Sequence, residues 1–335
     1  MPYASKQRSD AGEWLRSNPH RLHLGTIGFD ITKSSQAKLQ PSDVHDIEQK
    51  ANIWEGIISS RFRIENQPFA VETACHPKKD LIAVRIGSEF LQNGNTAIKF
   101  DFPYGSLLWG NSTDWQSGEK HQSRVIFRDE NAVVIERVLD ATTYFVHIRW
   151  KGNAEFIRRS DHSFRLAIKG GNLFEFVCGF FEDTPTSPLP PAGTAFDDSR
   201  EHWKEFWQTG GAIDLSESKD ARAFELERRI VLSRYLTAVQ CSGSLPPQET
   251  GLTMNSWFGK FHLEMHWWHA VHFVLWDRPE MLERSMLWYE SIMPVARQKA
   301  ILQGYDGIRW PKMTSPDGRS SPSGVGEFLI WQQPH

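Results

Sequence analysis

The chain is poor in the features that announce many functions at a glance. Cysteine is scarce: Cys75, Cys178 and Cys241 lie far apart, which excludes a disulfide framework and a cysteine-type zinc site. Long apolar runs are missing, and nothing approaches the ~18 residues a membrane helix requires. The opening "MPYASKQRSDAGEW" has no apolar leader core. Read as given, the sequence is expected to be soluble, with no membrane partner, and cytoplasmic unless its natural start lies upstream. Charge of one sign is lacking as well. With 38 basic against 41 acidic residues, the net charge is -3, so the basic stripe that nucleic acid demands is absent and no nucleic-acid partner is expected.

Aromatic residues, by contrast, are abundant. They make up 12% of the chain and include 14 Trp, a side chain that proteins place where it packs or stacks. At 335 residues the chain exceeds what one ordinary core serves, so two domains are expected.

From Arg21 to Phe181 short apolar or alternating runs are broken by turn residues: "GFDI", "GIISSRFRI", "LIAVRIG", "TAIKFDFPYG", "SRVIFR", "AVVIERVL", "YFVHIRW", "SFRLAI" and "LFEFVCGFF". Period-2 alternation with β-branched and aromatic enrichment predicts antiparallel sheets packed face to face. The proline-rich "EDTPTSPLPPAGTAFDD" then predicts a boundary, because neither a helix nor a central strand tolerates it. Beyond it the period changes to that of helices. "SREHWKEFWQTGG" reads as a short helix capped by Ser199, and "SKDARAFELERRIVLSRYLTAVQC" as a long amphipathic one. His262–Trp276 and Pro279–Gln303 read as two more, separated by long irregular connections of the kind that carry function.

The stretch "GKFHLEMHWWHAVHFVLW" holds four histidines, three tryptophans and one carboxylate. On a helix turning about 100° per residue, His262, His266, His269 and His272 share one side while Glu264 points to the other, between Trp267 and Trp268. Glu264 also sits at the wrong offset for a zinc-protease motif, so no metal site is expected. The histidines read as hydrogen-bonding partners in helix packing. A carboxylate between indoles must be paired, hydrogen-bonded or used, and aromatic faces beside carboxylate, amide and cationic groups are what sugar pockets are made of.

From Asn255 to His335 the sequence resembles the start of the catalytic domain of glycoside hydrolase family 65, the α-glucosidases and disaccharide phosphorylases of the six-hairpin glycosidase superfamily. In that family a Gly precedes Trp-Asp-x-Glu, and a helix hairpin leads to Gly-Tyr-x-Gly-Ala-Arg-(Phe/Trp)-Pro. Gly259, Glu264 and "GYDGIRWPK" (Gly304 to Lys312) follow in that order and spacing. The resemblance implies a multidomain β + α chain. An N-terminal antiparallel β-supersandwich (1–195) precedes a helical linker (196–217) and the first helices of an incomplete (α/α)6 barrel (218–335). It implies no cofactor and an oligosaccharide or glycoconjugate substrate. His262 stands where the family has a sugar-binding Asp.

The activity implied is glycoside hydrolysis of α-linked gluco-oligosaccharides or glycoconjugates by an inverting acid/base mechanism, with Glu264 as the catalytic residue. The family's general acid lies downstream of the Arg-Trp-Pro loop, beyond "LIWQQPH", so this chain alone is expected to be inactive, with apolar barrel faces exposed around Trp276, Trp288, Phe328 and Trp331. Trp257, Lys260, His262, Arg309, Trp310 and Lys312 are the expected substrate contacts, with Asn255, Gln332, Gln333 and His335 at the same mouth. Trp109, Asp114 and Trp115 are expected to reach the cleft from N-terminal loops. Two alternatives stay open: a disaccharide phosphorylase, with Arg309 and Lys312 on phosphate, and a non-catalytic carbohydrate-binding protein.

Overall fold

The computed structural model describes residues 9–184, 186–252, 254–322, 329–330 and 332–333. The chain divides into two compact units. One comprises His23–Tyr104 and Asp114–Thr209; the other comprises Met1–Leu22, Gly105–Thr113 and Gly210–His335.

The first unit is built on antiparallel strands β1 (Thr26–Ile31), β2 (Val44–Asn52), β3 (Ile57–Ile64), β4 (Gln67–Cys75), β5 (Leu81–Gly87) and β6 (Thr96–Asp101). The two-residue strands β7 (Tyr104–Gly105) and β8 (Thr113–Asp114) mark where the chain leaves and re-enters it. Then come β9 (His121–Arg128), β10 (Ala132–Leu139), β11 (Thr142–Lys151), β12 (Ala154–Ser160), β13 (Ser163–Ile168) and β14 (Leu173–Phe181). An eight-stranded sheet has the order β2-β3-β4-β5-β14-β11-β10-β9, and a four-stranded sheet the order β1-β6-β13-β12. Rings interlock between the sheets, Phe29 with Phe69 and Phe100 with Phe176.

Helix α2 (Ala192–Gln208) lies against β3, β4 and β5. Its Ala195 and Phe196 join Ile57, Ala83 and Val177 in one buried cluster. On β14, Phe176 packs toward the small sheet while the adjacent Val177 packs toward α2, which is why that strand is apolar at consecutive positions. Burying a side chain such as Phe196 contributes about 1.5–3 kcal/mol.

The second unit is helical: α1 (Asp10–Ser17), α3 (Ala223–Cys241), α4 (Leu263–Leu275), α5 (Pro279–Ser291) and α6 (Met293–Leu302), with the short ribbon β15 (Phe261–His262) and β16 (Met313–Thr314). No described helix is long and apolar enough to cross a membrane.

Four features differ from the sequence expectation. Strands β2, β4 and β12 are not announced by alternation: β2 is exposed along nearly its whole length, β4 carries Pro68, and β12 is an edge. Helix α2 starts directly after Pro191 rather than at Ser199, whose buried hydroxyl instead donates to the Glu55 carbonyl at 3.0 Å. The proline run therefore precedes a helix that packs on the sheet, and the compact β unit extends to Thr209. The expected helix Pro279–Gln303 is two helices broken at Ile292, because Pro294 has no N–H to continue the first. Trp288 is buried, its indole N–H donating to the Pro316 carbonyl at 2.7 Å, and Trp276 lies under the Arg234 guanidinium. Among the apolar side chains that α4, α5 and α6 expose are Trp268, Leu275, Leu287, Ile301 and Leu302. Phe328 and Trp331 lie outside the described residues.

Arg137 on β10 is fully buried with neutral partners throughout. It donates to Ser123 Oγ, to the Gln122 and Pro103 carbonyls, and to His121 Nδ1 at 2.7 Å, under the rings of Phe102 and Tyr144. A guanidinium only donates, so His121 Nδ1 must be unprotonated. The His162 ring stacks on His121 at 3.6 Å. Burial, reinforced by the Arg137 and His162 charges, pushes His121 from 6.5 down to about 4, and burial lowers His162 also.

The unfolded chain therefore binds protons below 6.5 that the folded unit refuses, so stability present above that pH is lost as the pH falls toward about 4. Urea unfolding of the β-rich unit should show its midpoint falling between about pH 6.5 and pH 5, with a shallower slope in His121→Gln. An unchanged midpoint over that window would contradict this account of Arg137.

Candidate functional site

The site begins at a tight turn in the helical unit. Trp257, Phe258 and Gly259 all have positive φ, at 48°, 59° and 72°. Only the last is a glycine, and it has to be, since a Cβ there would lie 2.2 Å from the Cβ of Arg21. The turn is tied down by Phe258 N–H to the Trp109 carbonyl and Arg21 N–H to the Phe258 carbonyl, both at 3.0 Å. It delivers the chain into β15, which pairs with β16 in the register Phe261↔Thr314 and His262↔Met313. Leu263 N–H then donates to the Lys312 carbonyl at 2.9 Å. That ladder sets Lys312 beside the first turn of α4, where Glu264 stands.

Lys312 Nζ lies 2.8 Å from Glu264 Oε1, with the side chains 23% and 11% exposed. A carboxylate in a helix's first turn is favoured by the helix dipole. The neighbouring His262 is buried, and its Nδ1 lies 3.2 Å from the Lys260 carbonyl. A carbonyl only accepts, so Nδ1 bears the proton and, in the neutral ring, Nε2 is left as an acceptor. Burial lowers the His262 pKa, partly offset by the Lys260 carbonyl and the carboxylates of Glu249 and Glu264. Glu249 Oε2 is 4.0 Å from Nε2. Sequence reasoning missed Glu249; the signal available was its position in the long connection between α3 and α4.

Trp257 is tilted against His262 at 6.0 Å and meets Trp109 edge-on at 5.5 Å, while the Arg16 guanidinium lies over its ring. Trp310 meets Tyr289 edge-on, and its backbone is clamped: Gln333 Oε1 accepts its N–H, and the Gln332 and Gln333 amides donate to its carbonyl. Arg309 lies over the Tyr305 ring. Both side-chain polar atoms of Asn255 are buried without a hydrogen-bond partner among the described residues, an exception of the kind that sites carry.

Lys260 departs from its expected role as a sugar contact. It is 1% exposed, and its ammonium donates to the Asn18 carbonyl at 2.5 Å. Asp114 and Trp115 belong to the β unit, where Asp114 accepts from Gln116 N–H and Ser117 Oγ of its own turn and Trp115 meets His23 edge-on. His335 lies outside the described residues. The other α4 histidines serve packing: His266 bonds Tyr289 and Ser285, His269 the Glu249 carbonyl, and His272 the His269 carbonyl.

The chain matches a bacterial glucoamylase complexed with acarbose, with a TM-score of 0.51 and 10% identity over 88% of this chain and 47% of that one. The fold is glucoamylase-like. The chain spans about half the length of that structure. A family GH92 α-mannosidase from Bacteroides thetaiotaomicron in complex with mannoimidazole is matched with a TM-score of 0.23 and 9% identity over 57% of this chain and 29% of that one. The sequence matches no family profile and no curated protein.

Because Gly259 combines positive φ with contact against Arg21, Gly259→Ala should destabilise the helical unit by about 2 kcal/mol or more, read as a lower denaturation midpoint. Gly304→Ala, where nothing lies within 4 Å, should cost less, since only its φ of 77° opposes the change. Equal losses at the two positions would remove the steric argument.

Proposed function

We propose that the chain carries the sandwich and the first helices of a six-hairpin glycosidase related to family 65. Glu264, Lys312 and His262 form its sugar subsite, serving inverting hydrolysis of α-linked gluco-oligosaccharides or glycoconjugates. The observation that carries this reading is the Glu264–Lys312 pair at 2.8 Å, close in sequence to buried His262, whose ring lies 6.0 Å from that of Trp257. The pair holds the carboxylate in one orientation, and a carboxylate is an acceptor for hydroxyl donors. The ammonium offers donors to hydroxyl oxygens, and His262 Nε2 offers an acceptor. Trp257 and Trp109 border the group with apolar surface suited to a pyranose ring.

Inverting hydrolysis needs two carboxyls ~6.5–9.5 Å apart, one as acid and one as base. In this reading Glu264 supplies one of them, and the general acid comes from further helices of the barrel. The apolar side chains that α4, α5 and α6 expose, among them Trp268, Leu275, Leu287 and Leu302, support such a layer. The match to half of a glucoamylase supports it too.

Titration with acarbose, followed by tryptophan fluorescence, should saturate. Glu264→Gln should weaken binding at least tenfold, and lower turnover of the intact enzyme by as much, ~1.4 kcal/mol of transition-state stabilisation, with little change in melting temperature. Parallel loss of binding and stability would instead make Glu264 a structural ion-pair residue.

A further inference from the structure

A cavity of about 350 Å3 in the helical unit shares none of Glu264, His262 and Lys312. Its wall is largely apolar, with Leu245, Pro246, Pro247 and Phe261, yet it holds two cationic side chains, Arg21 and Lys260. Among the described residues that line it there is no carboxylate.

Among the described residues neither cation has an ion-pair partner. Lys260 is almost wholly buried, and its ammonium, which has three protons to give, makes one hydrogen bond among the described residues, to the Asn18 carbonyl. The stem of Arg21 is pressed on Gly259, one residue from Lys260, and its guanidinium makes no hydrogen bond or ion pair among the described residues. Burial lowers both pKa values, that of Lys260 to about 8, where the Asp317 carboxylate partly offsets it. Asp317 is itself paired with Arg319 at 2.5 Å and does not line the cavity. Cations elsewhere are served differently: buried Arg137 by carbonyls, a hydroxyl and an imidazole, and half-buried Lys312 by Glu264. Buried charge is expensive unless paired, and a bound anion would supply what the described lining lacks.

Two cations match the charge of a phosphate ester near neutral pH, and a guanidinium fork matches its oxygens. The volume falls within the ~300–1,000 Å3 typical of small-molecule sites and exceeds what a bare oxyanion fills. We infer that this cavity binds a small phosphate monoester, with Arg21 and Lys260 on the phosphate and the proline-lined wall against the organic body. The inference is independent of the sugar-site reading.

Calorimetric titration of the full chain with phenyl phosphate, inorganic phosphate and phenol tests it. Phenyl phosphate should bind saturably and more tightly than inorganic phosphate, and phenol should not bind. Arg21→Gln and Lys260→Met should each weaken phenyl phosphate at least about tenfold, while Arg309→Gln should leave it within about twofold. If Lys260→Met fails to fold, Arg21→Gln and the charge-keeping Arg21→Lys decide the matter, the second being the milder loss. Absence of saturable binding, undiminished affinity in Arg21→Gln, or loss of binding in Arg309→Gln would overturn the site. Equal affinity for inorganic phosphate would overturn the assignment of an ester.

Discussion

Both sites in the helical unit hang on the left-handed turn at Trp257, Phe258 and Gly259. Positive φ at two bulky residues in succession costs on the order of 1–3 kcal/mol each, so the turn persists only because its surroundings over-determine it. Phe258 is buried, its N–H and carbonyl are taken by Trp109 and Arg21, and the following N–H groups of Gly259 and Lys260 close back on Ser256 and Trp257. From this one reversal the chain leaves with Lys260 in the phosphate cavity and His262 in the ribbon that carries Lys312 to Glu264. A relaxed turn would move both sites together.

Electrostatic pairing separates the structural cations from the functional ones. Arg137 is surrounded by carbonyl, hydroxyl and imidazole acceptors, which satisfy its hydrogen bonds and use its charge only to fix the protonation of His121. Lys312 has a carboxylate partner that is itself partly accessible. Among the described residues Lys260 has a single carbonyl acceptor and the Arg21 guanidinium has none. In a protein interior that sequence of decreasing satisfaction is also one of increasing dependence on a ligand.

The β-sheet region is legible in the sequence wherever a strand faces a core, because alternation then records burial. It is illegible at β2, where both faces meet solvent and no periodicity is required. The helices are legible in type but not in extent. Proline at the second position of α6 splits what reads as one amphipathic run, and Pro191 starts α2 where it seems to end the β region.

At the candidate site, Glu264 stands out in the sequence by its indole neighbours, whereas its partner Lys312 is visible only through a pairing of segments about fifty residues apart in sequence. Lys260 misleads because a cation in an aromatic run looks like a sugar contact, while its surroundings depend on Asn18 and Arg21 from the far end of the chain. Glu249 is hidden for the same reason.

The candidate sugar site is made almost entirely by connections. Trp109 comes from the 105–113 segment, Glu249, Asn255 and Trp257 from the link between α3 and α4, and Trp310 and Lys312 from the segment after α6. Only Glu264 stands on a helix, at its first turn. Helices α4 and α5 pack against each other and hold the ends of these segments, and His266, locked to Ser285 and Tyr289, fixes that packing. Irregular backbone offers few hydrogen bonds of its own. Large rings that both pack and hydrogen-bond keep such segments in one conformation, as the chemistry proposed for Glu264 requires.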